Sequence, residues 1–227
     1  MPRTVYEMSR AEALRSFLSR NGYAFAEESP ERPQWKDLRG SAIAGEVSAV
    51  YRRLGGAHAT PPVHPGTWDM ATGTLAIELD EERHFNRYRA LTLQSVLYRQ
   101  LRFPAGLYAE FCQRHESECI ASAGTGGFWS TPSSEFAFGA SDPPRTFETH
   151  GPARWRQRAF NDFVKDMAPL CTGLTVCRIG VWDELVAAGI RQPLGSVLQL
   201  FATPPGRALE KHWGGAILAL IRERSAV

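Results

Sequence analysis

From Leu75 to Asp80 apolar and polar residues alternate, with Leu75, Ile77 and Leu79 on one side and Ala76, Glu78 and Asp80 on the other. That is the period of a β-strand, and it projects both acids from one face. The preceding "TWDM" is a second short strand, and "ATG" between the two reads as a Gly-containing turn, so residues 67–80 are predicted to form a hairpin. With the turn at Ala71 to Gly73, Asp69 would pair near Leu75 and lie about 10 Å from Glu78, a gap that needs a bulge or a bend. His64 is nearer to Asp80 in that register.

Helical spacing governs most of the remaining chain. Ser9 with Glu12 has the form of a capping box opening a helix that runs through Asn21 and stops at Gly22. "GYAFAEESPERPQW" follows as an extended piece and a proline-rich loop. Residues 41–54 place Ile43, Val47, Val50 and Leu54 on one side, with Gly55-Gly56 as the stop. "HATPPVHPG", with three prolines, is irregular. "FNRYRALTLQSVLYRQL" reads as one long helix, and Pro104 opens another through about Ile120. Residues 121–151 are rich in Gly, Ser, Thr and Pro and read as a long loop. "GPARWRQRAFNDFVKDMAPL" is a helix, "GLTVCRI" a strand, "WDELVAAG" a short helix, "SVLQLFAT" an extended stretch and "GRALEKHWGGAILALIRER" a closing helix. The resulting class is α+β, a small mixed sheet flanked by helices, with too few strands for a doubly wound nucleotide fold.

Composition narrows the function classes only a little. The 227 residues, 43% hydrophobic, 22% charged and with net charge +2, fit one domain with a sizeable insertion. This charge neither demands nor excludes nucleic acid. Arginine dominates the basic residues, with Lys36, Lys165 and Lys211 the only lysines, and arginine suits bidentate phosphate contacts. The opening "MPRTVYEMSRAEALRSFL" lacks the apolar core and small residues of a leader, which points to the cytoplasm. The apolar run Trp213 to Ile221 is far short of the roughly 20 residues that span a bilayer, so no membrane is expected. Cys112, His115 and Cys119 fall at i, i+3 and i+7. On one helix they would share a face and, with Cys177, could bind zinc; buried apolar cysteines are the competing reading.

Carboxylates converging from adjacent strands suit a hard cation, so Asp69, Glu78 and Asp80 are candidate ligands for Mg²⁺ (or Mn²⁺). Such an ion activates water against a phosphodiester. His84, just after the strand, adds an imidazole suited to general acid or base work. Glu81 and Glu82 fall in the turn beyond. "ARWRQRAF" places Arg154 and Arg158 at i and i+4, as phosphate contacts or as a solvated helix face. There is no GxxxxGK[ST] phosphate loop, no GxSxG nucleophile elbow and no second Glu-x-x-His pair for a di-iron bundle.

"WDMATGTLAIELDEERHFNRYRALTL" resembles the core of the PD-(D/E)XK restriction-endonuclease-like nucleases, in the branch related to very-short-patch-repair endonucleases. In that branch an Asp precedes a strand of the form apolar-Glu-x-Asp-x-x-x-His, and an Arg-containing helix follows. Asp69, Glu78, Asp80 and His84 hold those places here, with Arg87 and Arg89 in the helix. "LTVCRIGVWDEL" is similar to the branch's next block, Arg178 standing where an arginine often follows the strand. The resemblance covers about 69–97 and 173–190, with Glu46 as an accessory acid. It implies DNA hydrolysis, with Asp69, Glu78 and Asp80 binding the metal, His84 as general base or substrate contact, and Arg87, Arg89 and Arg178 holding phosphates or core acids. Three departures stand out. Glu81 replaces a glycine, Asp80 replaces the lysine of the name, and residues 100–170 form an insertion that reads as a specificity or dimerisation element, allowing a homodimer. The alternatives are a non-catalytic nucleic-acid- or partner-binding protein on the same scaffold, and a structural network joining the acids to Arg87 and Arg89.

Overall fold

The computed structural model of the chain describes residues 8–203 and 207–225. The reading of the extreme N-terminus therefore rests partly on residues 1–7, outside the described residues. In chain order the elements are α1 (Arg10–Arg20), α2 (Trp35–Arg39), α3 (Ala44–Arg53), β1 (Met70–Thr72), β2 (Leu75–Asp80), α4 (Arg87–Thr92), α5 (Ala105–Arg114), α6 (Glu116–Ala123), α7 (Pro132–Phe138), α8 (Ala153–Asp166), α9 (Ala168–Cys171), β3 (Thr175–Gly180), β4 (Glu184–Ala187), β5 (Ile190–Pro193), α10 (Leu194–Phe201) and α11 (Arg207–Ser225). Short 3₁₀ turns cover Glu82–His84, Val96–Gln100 and Gly126–Phe128. The class is α+β, as the alternating and helical patterns predict. Among the described residues no helix is long and apolar enough to cross a membrane.

Two compact units form. Among the described residues one takes 8–30, 68–79, 177–203 and 207–225, the other Glu31–Thr67 and Asp80–Val176. In the first, β1 and β2 are antiparallel with Met70 opposite Ile77 and Thr72 opposite Leu75, within a sheet ordered β1-β2-β3. The turn is Gly73-Thr74, two residues later than Ala71, because Gly73 accepts the positive φ (+54°) that a tight hairpin requires. That shift moves Asp69 from beside Leu75 to beside Glu78 and closes the expected gap.

Two further elements differ from the sequence reading. "WDELVAAG" is not a helix: β4 and β5 pair with Leu185 opposite Gln192, around a turn in which Ala188 and Gly189 both have positive φ. Val186 and Ile190, β-branched and half exposed, fit a pleated ribbon better than a helix. "SVLQLFAT" is helical, since Leu194, Val197, Leu198 and Phe201 are all buried at i, i+3, i+4 and i+7. At the other end of the chain α1 carries the predicted capping box, Ser9 accepting from the Glu12 N–H and the Glu12 carboxylate accepting from the Ser9 N–H.

The second unit is mostly helical. The expected long helix over 85–101 is broken: the Asn86 side chain caps α4 by accepting from the Tyr88 and Arg89 N–H groups, and Ser95 restarts the chain as the 3₁₀ turn Val96–Gln100. The helix expected from Pro104 to Ile120 is interrupted at His115, giving α5 and α6. Residues 121–151 hold more structure than a loop. Thr131 accepts from the Ser134 N–H with Pro132 in the first turn, which starts α7. Asp142 gathers the N–H groups of Thr149, His150 and Gly151, and with the Thr149 hydroxyl these hold its carboxyl well below the usual carboxylate range.

Helix α8 is buried along most of its length, through Trp155, Ala159, Phe160, Phe163 and Val164. At its end Asp166 accepts from Arg89 at 2.6 Å and from the Tyr98 hydroxyl at 2.6 Å. Removing one partner of a buried ion pair strands the other charge, so Arg89→Ala is expected to destabilise the protein by about 3 kcal/mol. Arg114, whose pair with Glu110 is well exposed, serves as control, and its alanine variant should cost less than about 1 kcal/mol. Urea unfolding midpoints that fall equally for the two variants would contradict this.

Candidate metal centre

Asp80 is the last residue of β2 and is buried. Glu81 follows in an ordinary extended conformation (φ −83°, ψ 177°), so no glycine is needed there. The 3₁₀ turn then brings the chain back: the His84 N–H donates to the Glu81 carbonyl, and His84 Nδ1 lies 3.4 Å from Asp80 Oδ1. From α8, Asp162 places Oδ2 2.8 Å from the same nitrogen. The two carboxylates are almost fully buried and the imidazole is 23% exposed.

One donor atom from each of Asp80, His84 and Asp162 lies within 4.8 Å of the others. Two hard carboxylate oxygens and one imidazole form a donor set that fits a divalent cation such as Mn²⁺ or Mg²⁺, the imidazole favouring the transition ion. His84 Nδ1 faces both carboxylates, so with a proton it donates to them and without one its lone pair could share a cation with them. Metal ligation and carboxylate-oriented acid–base work are both open to this trio.

The expected ligands separate. Asp69 and Glu78 belong to the first unit, where they brace the open end of the hairpin. The Asp69 N–H donates to Glu78 Oε1 at 3.1 Å, and the Leu79 N–H donates to Asp69 Oδ2 at 2.9 Å. Arg178 lies 3.9 Å from Glu78, both side chains buried. Among the described residues the three-donor group is Asp80, His84 and Asp162, so Asp69 and Glu78 lie outside it. Asp162 escaped the sequence reading because 78 residues separate it from His84. The available signal was an acid on the buried side of an amphipathic helix.

The arginines divide by exposure. Arg89 and Arg178 are in the core, out of reach of a phosphate. Arg87 is half exposed but bound bidentately by Glu116 and stacked on Phe147 at 4.1 Å, and the Glu116 hydrogen bonds raise its pKa. Arg158 donates to the Arg83 carbonyl at 3.2 Å, and burial lowers its pKa to about 10. Arg154 stands one turn before it on α8. Glu46 pairs with Arg53 on α3, and His64 is exposed.

The profile of a family of unknown function, DUF7255, matches residues 49–200. The chain belongs to that family. No curated protein and no solved structure matches it. Asp80, His84 and Asp162 of the DUF7255 chain all fall inside the matched span.

The zinc reading fails on geometry. His115 sits at the junction of α5 and α6 and pairs with Glu118, so it does not continue one helical face with Cys112 and Cys119. Burial pushes both thiols up to about 12, which keeps them protonated and weakly nucleophilic. At pH 8 native Cys112 and Cys119 are therefore expected to alkylate at least about 100-fold more slowly than in the unfolded DUF7255 chain. Mass spectrometry of iodoacetamide-treated protein reads this, and prompt labelling of either native thiol would contradict it.

Proposed function

We propose that the protein is a divalent-metal-dependent nuclease that hydrolyses phosphodiester bonds in DNA, working in the cytoplasm. One observation carries the reading: two buried carboxylates and an imidazole from β2, the following turn and α8 present their donor atoms within 4.8 Å of one another. The resemblance of residues 69–97 and 173–190 to PD-(D/E)XK nucleases supports the same reaction class. Asp80 and Asp162 would hold the cation with His84. Asp69 and Glu78, instead of binding it, would set the register of the strand that ends at Asp80. A bound Mg²⁺ or Mn²⁺ supplies Lewis-acid activation of water and offsets charge on the phosphodiester. Arg154 and Arg158, on the same helix as Asp162, would position phosphates in this reading.

A second reading rests on the 2.8 Å contact between His84 and Asp162. The same trio serves equally as a charge network on a scaffold that binds nucleic acid without cutting it. Asp162→Asn separates the two, since it keeps the volume and removes the charge. For the nuclease, Mn²⁺ affinity by calorimetry falls about 100-fold or more, and cleavage of supercoiled plasmid in Mn²⁺ is lost along with it. Parental metal binding and cleavage in Asp162→Asn would overturn the assignment. A parent protein that binds DNA but no Mn²⁺ or Mg²⁺ would favour the second reading.

A further inference from the structure

Phe128 ends the 3₁₀ turn Gly126–Phe128 and is 46% exposed. A single exposed aromatic is unremarkable, but this one directly precedes a buried anchor and has a cation above it. The next residue, Trp129, is buried; its Nε1 donates to the Asp142 carbonyl at 2.7 Å, its carbonyl accepts from the Arg154 N–H at 3.1 Å, and its ring meets Trp155 edge-on at 5.5 Å. Phe128 thus projects from a fixed anchor. The Arg83 guanidinium lies over its ring, 4.8 Å from the centroid.

Arg83 is also the residue before His84, in the same turn. Its carbonyl accepts from Arg158, and its side chain pairs with Glu81 at 2.8 Å and remains one-third exposed. An exposed ring with a guanidinium over it thus stands beside the turn that carries His84, and Arg158, with Arg154 one turn before it, lies on the helix that bonds that turn. A polyanion complements the arginines. A planar heterocycle complements the ring and guanidinium, both of which stack well on bases. A paired base in a duplex has its faces covered by neighbours, so only an unpaired one can lie on Phe128.

We infer that Phe128 and Arg83 form a stacking platform for an unpaired base of single-stranded DNA, with Arg154 and Arg158 contacting its backbone phosphates. This rests on the nuclease reading of the neighbouring centre for its purpose, but binding is measurable without cleavage. A fluorescein-labelled oligothymidylate of 12 residues is titrated into the full chain in EDTA at low salt, alongside a duplex of equal length. Phe128→Ala is expected to weaken single-strand binding about tenfold, to change duplex binding less than about twofold, and to leave calorimetric Mn²⁺ binding unchanged. Phe128→Trp is expected to restore single-strand binding, which separates stacking from a folding defect. Parental affinity in Phe128→Ala, equal losses for single strand and duplex, failure of Phe128→Trp to restore binding, or no single-strand binding by the parent would each overturn the platform. Failure of cleavage alone, with the binding pattern intact, would overturn the nuclease reading and leave the platform standing.

Discussion

The buried ion pair between Arg89 and Asp166, both side chains 1% exposed, fixes the register of α8 against the segment that follows β2. Desolvating two charges is unfavourable unless the geometry is good and the remaining polar atoms are bonded. The Tyr98 hydroxyl bonds the carboxylate and accepts from the guanidinium, which also donates to the Thr92 hydroxyl. With Asp166 held opposite Arg89, the preceding turns of α8 fall into place: Asp162 opposite His84, and Arg158 opposite the Arg83 carbonyl. Three contacts, one per helical turn, thus run down one side of α8.

This arrangement explains why the two acids of the trio come from such different places. Asp80 ends a strand whose burial extends to both faces, while Asp162 occupies the buried stripe of a helix otherwise lined by Trp155, Ala159 and Phe163. Buried carboxylates persist when they are paired or coordinate a cation, and here a single imidazole stands between them. The hairpin acids answer to a different constraint. Asp69 and Glu78 each accept a main-chain N–H at the open end of β1 and β2, which is a sufficient reason for their presence there.

Much of this was legible in the sequence wherever the signal is local. The alternation at 75–80, the Ser9–Glu12 box and the glycine stop after α3 all fold as their residues dictate. Two further elements carry local signals of their own: Thr131-Pro132 before Ser134 marks a helix start, and Leu194, Val197, Leu198 and Phe201 carry a helical period. The β4–β5 hairpin was harder. Its turn uses Ala188 at φ 48°, a conformation an alanine seldom adopts and one no composition rule announces. The candidate centre was legible only in half. Asp80 and His84 are four residues apart and read together, whereas Asp162 reaches them through tertiary packing of α8, which single-sequence periodicity does not reveal.

The most direct test of the centre is proton NMR of the six imidazoles during addition of substoichiometric Mn²⁺. A metal held by Asp80, His84 and Asp162 broadens the His84 ring signals well before those of His58, His64, His115, His150 and His212, and Asp162→Asn abolishes that preference. Uniform broadening of all six, or His84 signals that stay sharp, would contradict a metal centre at this place.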